Sequence, residues 1–327
     1  MTTDSLLSKL NEPIILKLLR RTKLFYTRTG ITKGYCDLVD QKANDFFYQS
    51  ILNNTNGLMI TKFGTYELEN FCVFKSLLNG PNFKDFYYAA KNLKNYDIRQ
   101  CFPHLCANAG FFPNDIEYGI KWYELVKEDI KNIDIFGSYQ KLEAYIKDEL
   151  KHCKKLFPDG YIMPFLWNNP WTELLRNKKV LIIHPFKDSI EQQYYNNREK
   201  IFKDPKVLPE FKCLHVIKAV QSIAGNKTNF NTWFDALHYM EEEIDKVDFD
   251  IALIGCGAYG MNLAAYCKRK GKIGIHMASY VQLLFGIYGV RWEDDPKVKP
   301  YINEFWIRPS ESEKPANFNS IEQGCYW

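Results

Sequence analysis

The stretch Asp250-Ile251-Ala252-Leu253-Ile254-Gly255-Cys256-Gly257-Ala258-Tyr259-Gly260 carries the clearest fold signal in this chain of 327 residues. Its four apolar residues, 251–254, are typical of a strand that is buried on both faces of a parallel sheet. The glycines that follow match the pattern G-x-G-x-x-G, and residues 259–270 have a helical pattern. A strand, a glycine turn and a helix in this order predict a turn that cradles phosphate.

Strand and helix patterns alternate on both sides of this stretch, over about residues 178–292. Residues 180–184 form a continuous apolar run that Pro185 stops, which is typical of a central strand. Alternation of this kind predicts a parallel sheet with right-handed crossovers. Further strands are predicted at residues 212–217 and 272–276, and further helices at residues 189–202 and 233–247.

The first third of the chain predicts helices around one strand. Residues 4–22 and 40–52 have helical patterns, and we assign residues 1–56 to a helical N-terminal extension. A short buried strand is predicted to end at Gly64, and a helix is predicted to follow over residues 66–78.

The middle of the chain, about residues 85–157, is mostly helical in pattern and has weak strand signals. We therefore predict an α/β fold with a Rossmann-like parallel sheet and helices on both faces. Residues 57–327 then form a single domain, with the middle as a helix-rich insertion that covers the sheet and shapes part of the binding site.

Composition excludes several classes of protein. The net charge of +4, from 43 basic and 39 acidic residues, is too balanced for a typical nucleic-acid-binding surface. The basic excess at residues 17–23 is interpreted as a solvated helix face. Nine cysteines, without a CxxC pair, predict reduced thiols in the cytosol. No apolar run approaches the roughly 20 residues that span a bilayer, so we expect a cytoplasmic protein with no transmembrane segment.

The glycine turn is the first candidate binding site, through Gly255, Gly257, Ala258, Tyr259 and Gly260. A full dinucleotide fingerprint also needs an acidic residue about 20 positions on, to hold the ribose hydroxyls. At that distance the next predicted strand ends in His276 instead. We interpret the turn as ligand-facing, while a conventional NAD site and glycines that serve only tight packing stay as alternatives.

Other polar residues are expected at the same edge of the sheet, because the carboxyl ends of parallel strands meet there. His184 and His276 close two of the predicted strands, and Glu67 follows a third in the turn that begins at Phe63. Further along, the segment 282–292 offers Arg291, a bidentate phosphate clamp, among aromatic residues. The remaining ligand-binding candidates in these segments are Phe63, Gly64, Thr65, Ser189, Gln192, Tyr194 and Gln282, of which Ser189, Gln192 and Tyr194 could donate to a phosphate.

Residues 60–68, Ile60-Thr61-Lys62-Phe63-Gly64-Thr65-Tyr66-Glu67-Leu68, resemble the N-terminal signature of GT-D-type glycosyltransferases. That signature is a strand that ends in Phe-Gly and is followed by Asp-x-Glu. Segments 108–113 and 251–271 are also similar to such proteins. Four more stretches resemble proteins of polysaccharide-biosynthesis clusters that belong with this group, at residues 180–194, 219–225, 255–260 and 282–292. The resemblance runs from about residue 58 through the final residues 325–327.

The resemblance implies that a sugar is moved from a nucleotide-sugar donor to a hydroxyl acceptor. A UDP-sugar is the first expectation and a GDP-sugar the second, and the acceptor is a glycan, a lipid-linked sugar or a protein. In the family, Asp-x-Glu helps to hold a divalent metal and the diphosphate. Here Thr65 stands at the first acidic position and Glu67 at the second, so a Mn²⁺ or Mg²⁺ site has one carboxylate.

The resemblance makes Glu67 and His184 the catalytic candidates, with Glu67 either a general base or a metal ligand. Without a metal, Arg291, His184 and the helix start at the glycine turn would have to neutralise the leaving diphosphate. Two alternatives stay open. A nicotinamide-dependent oxidoreductase would use the glycine turn, and a catalytically inactive nucleotide-sugar-binding protein would explain Thr65.

Overall fold

Seven strands form one sheet in which every neighbouring pair is parallel. The computed structural model describes residues 30–79 and 98–327. The strands are β1 (Leu58–Thr61), β2 (Ile135–Gly137), β3 (Lys154–Leu156), β4 (Lys179–His184), β5 (Cys213–Lys218), β6 (Ile251–Ile254) and β7 (Ile273–His276). Their order across the sheet is β3-β2-β1-β7-β6-β4-β5.

The described residues also contain ten α-helices. These are α1 (Asp40–Leu52), α2 (Thr65–Asn79), α3 (Ile98–Ala109), α4 (Ile116–Ile130), α5 (Asp159–Ile162), α6 (Lys187–Ile201), α7 (Trp233–Asp245), α8 (Gly260–Arg269), α9 (Tyr280–Leu284) and α10 (Val290–Glu293). Within residues 30–79 and 98–327, no helix is both long enough and apolar enough to cross a membrane.

Both faces of the sheet are buried, because successive side chains of a strand point to opposite sides. In β6, Ala252 and Ile254 join one hydrophobic core, which α2, α3, α4, α7 and α8 cover. Ile251 and Leu253 join the other core, which α1, α6 and α9 cover. This arrangement explains the continuous apolar runs of the sequence and confirms the predicted α/β fold with a Rossmann-like parallel sheet.

Neighbouring strands in the centre of the sheet send their connections to opposite faces. The chain leaves β1 into α2 on one face and leaves β7 into α9 on the other. In the same way, β6 leads to α8 and β4 leads to α6 on the opposite side. Such divergence opens a crevice at the carboxyl ends of the strands, which is where open α/β sheets bind ligands.

The pattern over residues 40–52 predicts α1 at its observed bounds. By contrast, β2 and β3 lie in the region that the sequence predicts as helix-rich. Each has three residues, too few to show a periodic pattern, and each is fixed by pairing with a distant strand. Ile135 of β2, for example, pairs with Ile60 of β1. The helix predicted over residues 4–22 and the basic residues 17–23 lie outside the described part of the chain.

Candidate functional site

A cavity of about 400 Å³ opens at the carboxyl edge of the sheet. Segments that follow all seven strands contribute to its wall, so the whole edge of the sheet converges on it. One lining residue after each strand, from β1 to β7, is Glu67, Tyr139, Asp159, Pro185, Ser222, Gly255 and Ser279.

The cavity brings together most of the candidates from the sequence. Ten of them line it: Gly64, Thr65, Glu67, His184, Gly255, Gly257, Tyr259, His276, Gln282 and Arg291. Six others lie outside its lining: Phe63, Ser189, Gln192, Tyr194, Ala258 and Gly260. Phe63 and Ala258 are buried in the hydrophobic core between the sheet and its helices.

The start of α6 is not open to a phosphate, because a carboxylate of the chain already occupies it. Glu313 is buried and accepts hydrogen bonds from the backbone N–H of Asp188 at 2.8 Å and from the Ser189 hydroxyl at 2.5 Å. A carboxylate at a helix N-terminus satisfies the free N–H groups and the helix dipole. Ser189 therefore binds an internal anion rather than a donor phosphate.

The other two candidates on α6 are also structural or exposed. Gln192 faces solvent, while the next residue, Gln193, is buried and donates to the carbonyl of Phe305 at 2.8 Å. The hydroxyl of Tyr194 accepts from the backbone N–H of Phe211 at 2.7 Å. These contacts tie α6 to its neighbours, which corrects the expectation that it donates to a phosphate.

The three glycines of the turn after β6 are each required by close packing. A Cβ on Gly255 would stand 2.7 Å from Cδ2 of His184, and one on Gly257 would stand 2.6 Å from the carbonyl oxygen of Ala109. Gly257 also has a φ of +59°, which favours glycine. In a dinucleotide site the second glycine makes room for the pyrophosphate. Here the end of α3 packs against that glycine, although Gly255 and Gly257 still border the cavity.

The third glycine, Gly260, supports the ring of His276. Three ring atoms of His276 lie within 2.9 Å of where a Cβ on Gly260 would stand. This contact between α8 and β7 explains why Gly260 is needed although it does not line the cavity.

We expect the substitution Gly260→Ala to destabilise the protein by about 2 kcal/mol, since overpacking outweighs the gain in helix propensity of roughly 1 kcal/mol. Denaturant unfolding measures the change. In a His276→Ala background the same substitution is expected to be neutral or stabilising, because the ring is gone. A stabilised single variant would contradict the packing seen here.

Three charged residues that line the cavity were not among the sequence candidates, and they are Lys62, Asp159 and Glu322. Lys62 is the cation among them. It directly follows β1, is 8% exposed, and places its ammonium 5.3 Å from the centre of the Tyr139 ring. Burial lowers the pKa of Lys62 to about 8, against the opposing effect of the Glu67 carboxylate. A lysine at the end of an apolar strand was the signal that could have identified it.

Glu67 lies in the first turn of α2, and its carboxylate folds back over Gly64. Both carboxylate oxygens lie within 2.9 Å of where a Cβ on Gly64 would stand. Burial raises the pKa of Glu67, while its own backbone N–H and the Lys62 ammonium act in the opposite direction. A carboxylate with a raised pKa beside a buried cation is suited to accept a proton.

The two histidines of the cavity are neutral at physiological pH. Burial lowers the pKa of His184 and of His276 to about 3. Nδ1 of His184 accepts from the backbone N–H of Phe186 at 3.1 Å, so its proton is on Nε2. The expectation that His184 helps to neutralise a diphosphate is therefore corrected: it offers a hydrogen bond and no charge.

His276 has one nitrogen engaged by the protein. Its Nδ1 lies 3.0 Å from the hydroxyl oxygen of Thr61, and its buried Nε2 has no hydrogen-bond partner among the described residues. That nitrogen lies against Gly260 of α8, which does not line the cavity, so the His276 ring serves packing between α8 and β7.

Arg291 also lines the cavity and is held against an aromatic ring. Its guanidinium is 4.7 Å from the centre of the Tyr326 ring and forms an ion pair with Glu322. Tyr326 and Trp327 also line the cavity. Aromatic faces and a guanidinium together suit a ligand with both a flat ring and a phosphate.

The charged residues do not fit a divalent cation. Among the residues that the structure covers, no three His, Cys, Asp or Glu side chains form a group with metal-ligand spacing. The one carboxylate expected to bind Mn²⁺ or Mg²⁺, that of Glu67, is influenced by the Lys62 ammonium, which would repel a metal ion. The described residues of the cavity therefore do not form a site for Mn²⁺ or Mg²⁺.

Comparisons of the chain with protein-family models, curated proteins and solved structures find no match. A proposal about its activity must therefore rest on the cavity itself and on the resemblance of its short motifs to GT-D-type glycosyltransferases.

Proposed function

We propose that this chain is a glycosyltransferase that binds a nucleotide sugar in the cavity at the carboxyl edge of the sheet. The observation that carries the proposal is that Lys62 and Glu67 line the same cavity, one a buried lysine and the other a carboxyl group whose pKa burial raises. Transfer from a nucleotide sugar needs these two groups, since one stabilises the departing diphosphate and the other accepts a proton.

The cavity has the size and chemistry of a small-molecule site. Its volume of about 400 Å³ falls within the usual range of such sites. Lys62 and Arg291 supply positive charge for the diphosphate, and the neutral imidazole of His184 supplies a hydrogen bond. The ring of Tyr326 supports stacking of the base or the sugar.

The proposed reaction is a displacement at the anomeric carbon of the donor. The acceptor hydroxyl forms a bond to that carbon while the carbon–oxygen bond to the diphosphate breaks. Glu67 takes the hydroxyl proton, and the diphosphate leaves with the electron pair of the broken bond. Lys62, which is buried, then faces the charge that develops on the diphosphate.

A melting-temperature panel with UDP-, GDP-, CMP- and dTDP-sugars, NAD⁺ and NADPH tests the proposal. A ligand at about 100 times its Kd stabilises the fold by roughly 2.7 kcal/mol, which shifts the transition visibly. We expect a selective shift with one nucleotide sugar, a UDP-sugar first, and none with the nicotinamide cofactors. A shift with a nicotinamide cofactor only would overturn the proposal and favour an oxidoreductase.

Affinity for the donor is expected to fall as the pH rises through about 8. The pKa of Lys62 is lowered to about 8 by burial, so its ammonium is protonated below that pH and loses its charge above it. Titrations of the donor from pH 6.5 to 9.5 measure the effect. In Lys62→Arg the guanidinium stays charged, and the loss above pH 8 should disappear. An unchanged pH profile in that variant would show that another group is responsible.

A further inference from the structure

The guanidinium of Arg291 is already engaged by an anion of the chain. Arg291 Nη2 donates to Glu322 Oε2, and both residues line the cavity. Their side chains are 33% and 44% exposed, so the ion pair lies at the mouth of the cavity and a dissolved ligand can reach it.

Glu322 is presented to Arg291 by a strained turn. Three consecutive residues, Glu322, Gln323 and Gly324, have φ angles of 43°, 60° and 76°. Left-handed backbone is uncommon for residues other than glycine, so two such residues in succession store backbone strain. The Glu322 carboxylate is therefore held at Arg291 at a cost in backbone strain.

Arg291 does not depend on Glu322 for its place. Its guanidinium rests on the Tyr326 ring at 4.7 Å, and its backbone N–H donates to the carbonyl of Cys325 at 3.0 Å. Neither contact involves the Glu322 carboxylate. The arginine is thus prepared for an anion, and Glu322 is the part of the pair that can leave.

The charge balance of the cavity points the same way. Lys62 and Arg291 are its cations, and Glu67, Glu322 and Asp159 are its carboxylates, of which Asp159 is paired with Lys297 at 2.5 Å. A diphosphate adds about two negative charges, so it meets repulsion unless a carboxylate withdraws. Glu322 is the carboxylate that forms an ion pair with Arg291, one of the two cations that the ligand would contact.

We propose that Glu322 holds the place of a ligand phosphate on Arg291 and is displaced when a diphosphate enters. This inference rests on the proposed function for the identity of the diphosphate, a nucleotide sugar. The anion subsite itself requires only that a pyrophosphate group bind Arg291.

The variant Glu322→Gln tests the displacement by titration with inorganic pyrophosphate and with the nucleotide sugars. We expect it to bind pyrophosphate about 10-fold more tightly than the wild type, since the competing charge is gone. A matched control is Glu293→Gln. Glu293 pairs with Arg308, whose guanidinium also stacks on a tyrosine, 4.5 Å from the centre of the Tyr288 ring, but Arg308 does not line the cavity. That variant should bind pyrophosphate as the wild type does.

The proposed displacement is overturned if Glu322→Gln binds pyrophosphate no more tightly than the wild type does. It is also overturned if neither the wild type nor Glu322→Gln binds pyrophosphate. If nucleotide sugars bind but Glu322→Gln leaves their affinity unchanged, this inference fails while the proposed function stands. If Glu322→Gln binds pyrophosphate more tightly but no nucleotide sugar binds, the anion subsite on Arg291 is supported and the proposed glycosyltransferase function is rejected. Melting curves of both variants confirm that each is folded.

Discussion

The substitution Lys62→Met is expected to weaken donor binding by about 100-fold or more while the protein stays folded. Loss of a buried cation that faces a ligand anion costs several kcal/mol of affinity, and 1.4 kcal/mol corresponds to a factor of ten. The fold should tolerate the change, because burial opposes the charged form of Lys62 and lowers its pKa to about 8. Methionine fills a similar volume without a charge to desolvate.

Lys75→Met provides the control for this experiment. Lys75 lies on α2 outside the cavity, and its ammonium also packs over a tyrosine, 4.9 Å from the centre of the Tyr145 ring. It pairs with Glu149 at 2.7 Å, so its removal tests stability and not donor binding. Calorimetric titrations of the two variants give the comparison. Equal losses of affinity in both would show that Lys62 acts through the fold and not on the ligand.

The substitution Glu67→Gln is expected to lower kcat by about 10²- to 10⁴-fold, the usual contribution of a general base. The amide has the same shape as the carboxylate and accepts no proton, so the affinity for the donor should change little. Burial already raises the pKa of Glu67, which makes its carboxylate a better base than an exposed one. Rates of nucleoside diphosphate release, with and without acceptor, measure the effect.

The matched variant is Glu69→Gln, also on α2 but outside the lining of the cavity. It should transfer sugar at the wild-type rate. Full activity in Glu67→Gln would remove Glu67 from the reaction. A loss of donor affinity with unchanged kcat would assign Glu67 to binding instead.

Strands β4 and β6 are predictable from sequence because they are buried on both faces. The run 180–184 and the run 251–254 are typical of strands in hydrophobicity alone, and each strand has a neighbour on both sides in the sheet. Strands β2 and β3, of three residues each, have no such signal. β3 forms a strand at residues 154–156 because β2 pairs with it. Pairing between distant segments cannot be predicted from local composition.

The site was predictable to the extent that parallel strands bring their carboxyl ends together. His184, Gly255 and His276 follow from that rule, and all three line the cavity. The rule fails where a distant segment intervenes. Glu313 reaches Ser189 across 124 positions and occupies the start of α6. Glu322 reaches Arg291 in the same way, through side-chain geometry that no pattern in the sequence encodes.

Calorimetric titration of the wild-type protein and of Lys62→Met with UDP- and GDP-sugars shows whether the cavity binds a nucleotide sugar through Lys62. We predict saturable binding of one nucleotide sugar to the wild type, with loss of that binding in Lys62→Met and its retention in Lys75→Met. Absence of binding by every nucleotide sugar, or equal binding by Lys62→Met, would contradict this prediction.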